Sequence, residues 1–98
     1  VSYFFHPAAE AEFLELIGYY ESKVPGLGGA LIDEFEAVAR LIGDSPKAWQ
    51  VEQKPDIRRV SLQRFPLSVV YRATSAGFQV LAIAHHRRRP QYWRVRLA

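Results

Sequence analysis

The chain has 98 residues, a formal net charge of +3, 49% hydrophobic and 23% charged residues, and no cysteine. That length supports one modest core, and the missing cysteines exclude a disulfide framework, thiolate catalysis and thiolate metal sites. No apolar run approaches the ~20 residues that span a bilayer, and no basic-then-apolar leader opens the sequence, so residues 1–98 read as a single domain expected in the cytoplasm.

The net charge hides an asymmetry. Residues 1–50 carry eight acids and three bases, a net of −5, while residues 51–98 carry ten bases and two acids, a net of +8. Such a split predicts one basic surface for a polyanion or an acidic partner. If the two halves interleave on folding, the field instead largely cancels.

In chain order, Val1 to Phe5 reads as a short edge or terminal strand stopped by His6-Pro7. Pro7, or a residue just after it, can open a helix, because a first-turn proline sacrifices no hydrogen bond. Ala9, Phe13, Leu16, Ile17, Tyr20 and Val24 recur at helical spacing. A first helix is expected from about Ala8 to Lys23, with its glutamates mostly off the apolar stripe. Pro25 to Gly29 is a turn: it lacks the preceding strand and the following Lys-Ser/Thr of a phosphate loop. A second helix follows from about Ala30 to Gly43, with Leu31, Phe35, Val38 and Ile42 as its core stripe. The short turn makes the pair an antiparallel hairpin.

Lys47 to Asp56 is expected to be a polar connection. Ile57 to Arg64 alternates as a strand, Phe65-Pro66 connects, and Leu67, Val69 and Tyr71 share one face of the next strand. Thr74 to Gly77 is a hairpin turn, and Phe78 to Ala84 is the most apolar strand. The fold class predicted is α+β: strand, two helices, three strands, with the helix hairpin on a small antiparallel sheet and a short basic C-terminal tail.

That tail concentrates the chemistry. His85, His86, Arg87, Arg88, Arg89, Tyr92, Trp93, Arg94 and Arg96 fall within twelve residues. The mixture suits phosphate, single-stranded nucleic acid or an acidic protein. The plainer reading has Tyr92 and Trp93 clamp the tail to the sheet, while Arg59 and Arg64 pair with helix acids. His85 and His86 alternate faces if the strand persists, so only one can serve a given site and the other packs or caps. Adjacent strand residues diverge and no third ligand is in view, so no metal site and no cofactor is expected.

Three stretches together resemble the RelE/ParE superfamily of type II toxin–antitoxin toxins. They are the helix hairpin from Ala8 to Val38 with its YYESKVPGLG turn, IRRVSLQRFPLSVVYR (Ile57 to Arg72) and IAHHRRRPQYWRVR (Ile83 to Arg96). The resemblance covers nearly the whole chain, and its RFP hairpin and RR-P-YW ending are nearer the ParE-like branch. It implies a compact toxin neutralised by a cognate antitoxin whose C-terminal segment wraps it. ParE-like members act on DNA gyrase; RelE-like members cleave mRNA in the ribosomal A site.

The two branches imply different residues. A gyrase inhibitor needs a contact surface, for which Arg87, Arg88, Arg89, Tyr92, Trp93 and Arg96 are the candidates, since interfaces concentrate energy in Arg, Tyr and Trp. A nuclease needs cations for phosphate and groups that exchange protons. Arg59, Arg64 and Arg88 are the phosphate candidates, with Tyr92 and His86 as acid or base. RelE-type nucleases carry a denser lysine and arginine set before the central hairpin, where this chain has only Lys54. A third reading is a non-toxic RNA-binding module that stacks bases on Tyr92 or Trp93. None of the three readings involves a membrane.

Overall fold

A computed structural model of the chain describes residues 2–97. The elements run β1 (Tyr3–Phe5), α1 (Pro7–Lys23), α2 (Leu27–Asp44), β2 (Gln50–Gln53), β3 (Ile57–Ser61), β4 (Leu67–Thr74), β5 (Gly77–His85) and a C-terminal 3-10 helix (Tyr92–Leu97). This is the expected α+β order with one added strand. The expectation that Val1 begins the first strand lies outside the described residues.

Local chemistry sets the helix ends. The His6 ring nitrogen Nδ1 accepts from the Ala8 amide at 3.0 Å, and Pro7 occupies the first turn. The turn to α2 passes through Gly26 at φ 92°, the left-handed region where a side chain is strained. Gly26 has no side chain to cap α2. Instead the Glu21 carboxylate accepts from the Gly26 and Gly28 amides at 2.9–3.1 Å, which places a negative charge at the helix's positive end. At Gly28 the helices meet backbone to backbone, and a Cβ there would lie 2.8 Å from the Ile17 carbonyl oxygen.

The sheet order is β1-β5-β4-β3-β2. Three of its pairings are antiparallel, but β1 runs parallel to β5, so the sheet is mixed where an antiparallel one was expected. Parallel neighbours need a long crossover, and everything from α1 to β4 serves as one. The expected polar connection also contains β2, a short edge strand. Its ladder to β3 needs only backbone groups, and a Glu52–Arg59 ion pair at 3.2 Å ties the two strands together.

The helices cover one face of the sheet. Phe13, Leu31, Phe35 and Ile42 pack there on Val60, Val69, Tyr71, Phe78 and Val80. Ile57, Val70, Leu81, Ala82 and Trp93 form a second, smaller cluster, on the face opposite the helices by strand alternation. The β4–β5 register explains how β5 serves both. Tyr71 pairs with Val80 and Val70 with Ala82, which leaves Leu81 as a bulge. The extra residue resets the alternation, so Val80 and Ile83 reach the helix side while Leu81 and Ala82 both join the outer cluster.

Phe35 is the centre of the aromatic part of the main core. Its ring lies 4.7–5.8 Å from those of Tyr3, Phe5 and Phe13, and the residue is 2% exposed. Phe35→Ala should cost about 3–5 kcal/mol, measurable by urea denaturation; a cost below about 1 kcal/mol would mean the neighbouring rings collapse into the space.

Candidate functional site

The site begins with an interrupted edge. β1 pairs with β5 only from Phe78 to Val80, and the His6 amide adds one more bond to the Val80 carbonyl. Pro7 then has no amide donor and opens α1. Beyond that point β5 offers the Leu81 carbonyl and the Ile83 amide to no strand. Arg96 donates to the Leu81 carbonyl at 2.8 Å, and the Glu12 carboxylate accepts from the Ile83 amide at 3.0 Å. Arg96 and Glu12 also bond each other at 3.0 Å. A residue on a parallel strand would make the same two contacts with its own amide and carbonyl. The ion pair therefore stands in for the missing strand residue.

Glu12 gathers the tail as well. The Tyr92 hydroxyl donates to it at 2.5 Å, a second Arg96 nitrogen lies at 3.3 Å, and Arg88 approaches to 3.9 Å. The Tyr92 ring carries the Arg88 guanidinium on it at 3.8 Å from its centroid, with Arg96 at 5.2 Å. Burial pushes the Tyr92 phenol well above its usual range, and the hydrogen bond to Glu12 pushes it further. Trp93, 2% exposed, fills the outer cluster between Ile57, Val70, Leu81 and Ala82. The tail is thus a short helix pinned at both ends rather than a solvated extension.

Beside it on the outer face lies a polar network centred on Ser68, which is fully buried. Arg59 donates to the Ser68 hydroxyl at 2.7 Å, and the Ser68 oxygen lies 3.0 Å from His86 Nε2 and 3.2 Å from the Ser61 hydroxyl. Arg59, His86, Arg88, Arg89 and Tyr92 line a common cavity of about 90 Å³.

The predicted residues therefore divide. Four of the five nuclease candidates, Arg59, His86, Arg88 and Tyr92, share that cavity. Arg64 does not line it: it sits exposed in the β3–β4 connection, where its amide and that of Gln63 donate to Glu34 of α2. Of the contact candidates, Arg87, Arg88 and Arg89 are exposed. Trp93 is buried and offers no contact surface, because the outer cluster needs a large apolar side chain to cover it. Arg96 is mostly buried and committed to Glu12 and the Leu81 carbonyl. His85 is the capping histidine: its Nδ1 accepts from the Arg87 amide at 3.0 Å. Arg94, part of the predicted basic cluster but not among its contact candidates, and Val95, which the sequence did not single out, are both exposed on the 3-10 helix, Val95 by 82%. A 3-10 turn that buries Trp93 turns the residues after it outward, a signal that composition does not carry. Among the described residues no group of three or more His, Asp or Glu side chains is gathered to hold a metal, and no helix is long and apolar enough to cross a membrane.

Glu12→Gln should destabilise the fold by about 3 kcal/mol or more, because it leaves Arg96 as an uncompensated, mostly buried charge. Chemical denaturation checks this, and a loss below about 1 kcal/mol would show that the tail holds without the ion pair. The pH dependence has a defined sign. Tyr92 is held neutral, and burial also pushes Tyr71 up, to about 12. Their contribution is complete below about pH 10, where unfolded tyrosine ionises, and is lost as pH rises toward the folded values. The denaturation midpoint should fall between pH 10 and 12, and less steeply in Tyr92→Phe; equal slopes in the two proteins would contradict a neutral Tyr92 clamp.

Comparisons with known proteins agree with this architecture. Residues 3–90 match the family model for the ParE toxin of the type II toxin–antitoxin system parDE. A solved structure described as the chromosomal ParDE TA system from P. aeruginosa shares the fold at a TM-score of 0.70 and 23% identity, over 87% of this chain and 95% of that one. No curated protein matches significantly. With a family match that runs from β1 to the start of the tail, the chain belongs to the ParE toxin family of type II toxin–antitoxin systems.

Proposed function

We propose that this toxin inhibits DNA gyrase, and with it replication, in the cytoplasm, through the exposed basic surface of Arg87, Arg88, Arg89 and Arg94, and that a cognate antitoxin neutralises it. The observation that carries this reading is the anchored tail. Glu12, Arg96 and Trp93 hold the segment at fixed points, so its outward arginines are presented on a rigid support. Pre-organised arginines lose less entropy on binding a partner than a floppy basic tail would. The surface suits an acidic protein patch, and an acidic, partly disordered antitoxin segment would complement it in the same way.

The mRNA-endonuclease reading has one observation in its favour, the convergence of Arg59, His86, Arg88 and Tyr92 on one cavity. Against it stands Tyr92. Its proton is directed at Glu12, and burial and that hydrogen bond oppose its release. A general acid or base needs a proton that moves near the working pH. The non-toxic RNA-binding reading loses one of its two stacking platforms, since Trp93 is buried.

The test is a supercoiling assay with purified gyrase and the full chain. Combined Arg87→Ala, Arg89→Ala and Arg94→Ala should weaken inhibition by about tenfold or more, as loss of interface arginines does. All three residues are exposed, so the fold should persist, which circular dichroism checks. Full inhibition by the triple variant would remove this surface from the mechanism. Failure of the unmodified toxin to inhibit gyrase, together with codon-specific mRNA cleavage on ribosomes, would overturn the gyrase reading.

A further inference from the structure

The outer-face cavity is more than a gap beside the tail. Three arginines and His86 line it, and among the described residues no carboxylate does. Guanidinium and imidazole groups gathered on one cavity, with no acid lining it, favour an anion there. The acids nearby leave donors over. Arg59 gives one N–H to Glu52 and one to Ser68, which leaves three of the ~five a guanidinium carries. Arg88 meets Glu12 only at 3.9 Å, and its guanidinium rests on the Tyr92 ring at 3.8 Å. Arg89 is exposed at the rim.

Ser68, buried behind the lining, holds two of the cavity's groups, Arg59 and His86, from beneath. Its hydroxyl accepts from Arg59 and sits within hydrogen-bond distance of both His86 Nε2 and Ser61. A serine oxygen carries one proton and two lone pairs. With Arg59 on one lone pair, Ser68 can donate to His86 or accept from it. When it donates to Nε2, the neutral imidazole carries its proton on Nδ1, so the ring keeps a donor that Ser68 does not use. The buried serine thus fixes two donors from different elements, β3 and the end of β5, at one place.

Size narrows the ligand. One water takes about 10–15 Å³ of such space, so about 90 Å³ admits roughly six water-sized groups. A phosphate group, with its five non-hydrogen atoms, fits; a nucleoside does not. We infer that this cavity is a phosphate-binding site, in which Arg59, His86, Arg88 and Arg89 hold a single phosphate group while whatever it is attached to stays outside. Tyr92, the phenol at its edge, is committed to Glu12 and braces the site rather than exchanging protons with the bound group. Because no base enters, recognition is independent of nucleotide sequence. The group can come from free or terminal phosphate or from a nucleic-acid backbone.

The experiment is an NMR and calorimetric titration of the full chain, without gyrase, so its outcome is separate from the supercoiling assay. The probes are inorganic phosphate, a 5′-phosphorylated single-stranded oligonucleotide and the same oligonucleotide without its terminal phosphate. Inorganic phosphate should produce saturable shifts at the Arg59, Ser68, His86 and Arg88 amides. Arg59→Gln should weaken binding by about tenfold or more. Arg64→Gln, equal in charge change but outside the cavity, should leave it unaltered. His86→Ala, at an exposed residue, gives a second reading if Arg59→Gln disturbs the fold. A terminal-phosphate preference would identify phosphate ends as the source; equal, base-independent binding of both oligonucleotides, lost in Arg59→Gln, would identify the backbone. Unsaturable shifts, or equal weakening by Arg64→Gln, would mean diffuse attraction to a basic surface and would overturn the site.

Discussion

The carboxylate of Glu12 decides more of this structure than any other single group. It lies on α1, yet accepts from the Ile83 amide on β5 and binds Tyr92 and Arg96 of the tail. All its strong lone-pair positions are used, which is what makes a mostly buried carboxylate tolerable. The cause is upstream. Pro7 ends β1 after three residues, and the parallel edge of β5 would otherwise present unpaired backbone groups under the first helix. An ion pair between residues far apart in sequence closes that edge, and the same bond fixes the tail. Sheet completion and surface presentation are therefore one interaction.

Other helix acids also accept from backbone groups. Glu21 caps α2 across the turn, and Glu34 holds the Gln63 and Arg64 amides. This resolves the question posed by the split charge. Among the described residues only Glu12 of the acidic half forms ion pairs with arginines of the basic half. Glu21 answers amides across its own turn, Glu34 accepts from two backbone amides, and of the tail arginines only Arg96 is closely paired, with Arg88 at a longer 3.9 Å. Arg87, Arg89 and Arg94 are left facing solvent, at the end of the chain where the bulge at Leu81 gives Trp93 a second apolar cluster to cover.

How much of this was legible in the sequence depends on the range of the interaction. Apolar spacing gave both helices to within a few residues, and alternation gave the faces of β4, because these are periodicities of the chain itself. The parallel pairing of β1, the strand at Gln50–Gln53 and the bulge at Leu81 were not legible. Each depends on which backbone the segment meets, not on its own residues. Glu12 read as one of several glutamates off the apolar stripe; its role needs Pro7, Ile83 and Arg96 to be adjacent in space. The tail's residues were found as a cluster, but their orientation was not. Trp93 and Arg96 turn inward, and Arg94 and Val95 turn outward, because a 3-10 helix rather than an extended tail follows Gln91.

Tyr92 shows why residue type alone underdetermines function at such a site. A phenol among arginines can hand over a proton, stack a base or brace a wall, and the sequence permits all three. The geometry separates them by what each would require. Proton transfer needs a hydroxyl free to ionise, but this one points at a carboxylate and burial opposes its charge. Base stacking needs an open ring face, but Arg88 lies over the ring at 3.8 Å. Bracing needs only what is present, a hydrogen bond at one end and a guanidinium on the face. The ring that Glu12 holds in place also carries the Arg88 guanidinium at 3.8 Å, so the phenol acts on the surface through its neighbour. A basic surface built this way presents its guanidiniums, held by packing, to an anion or an acidic partner.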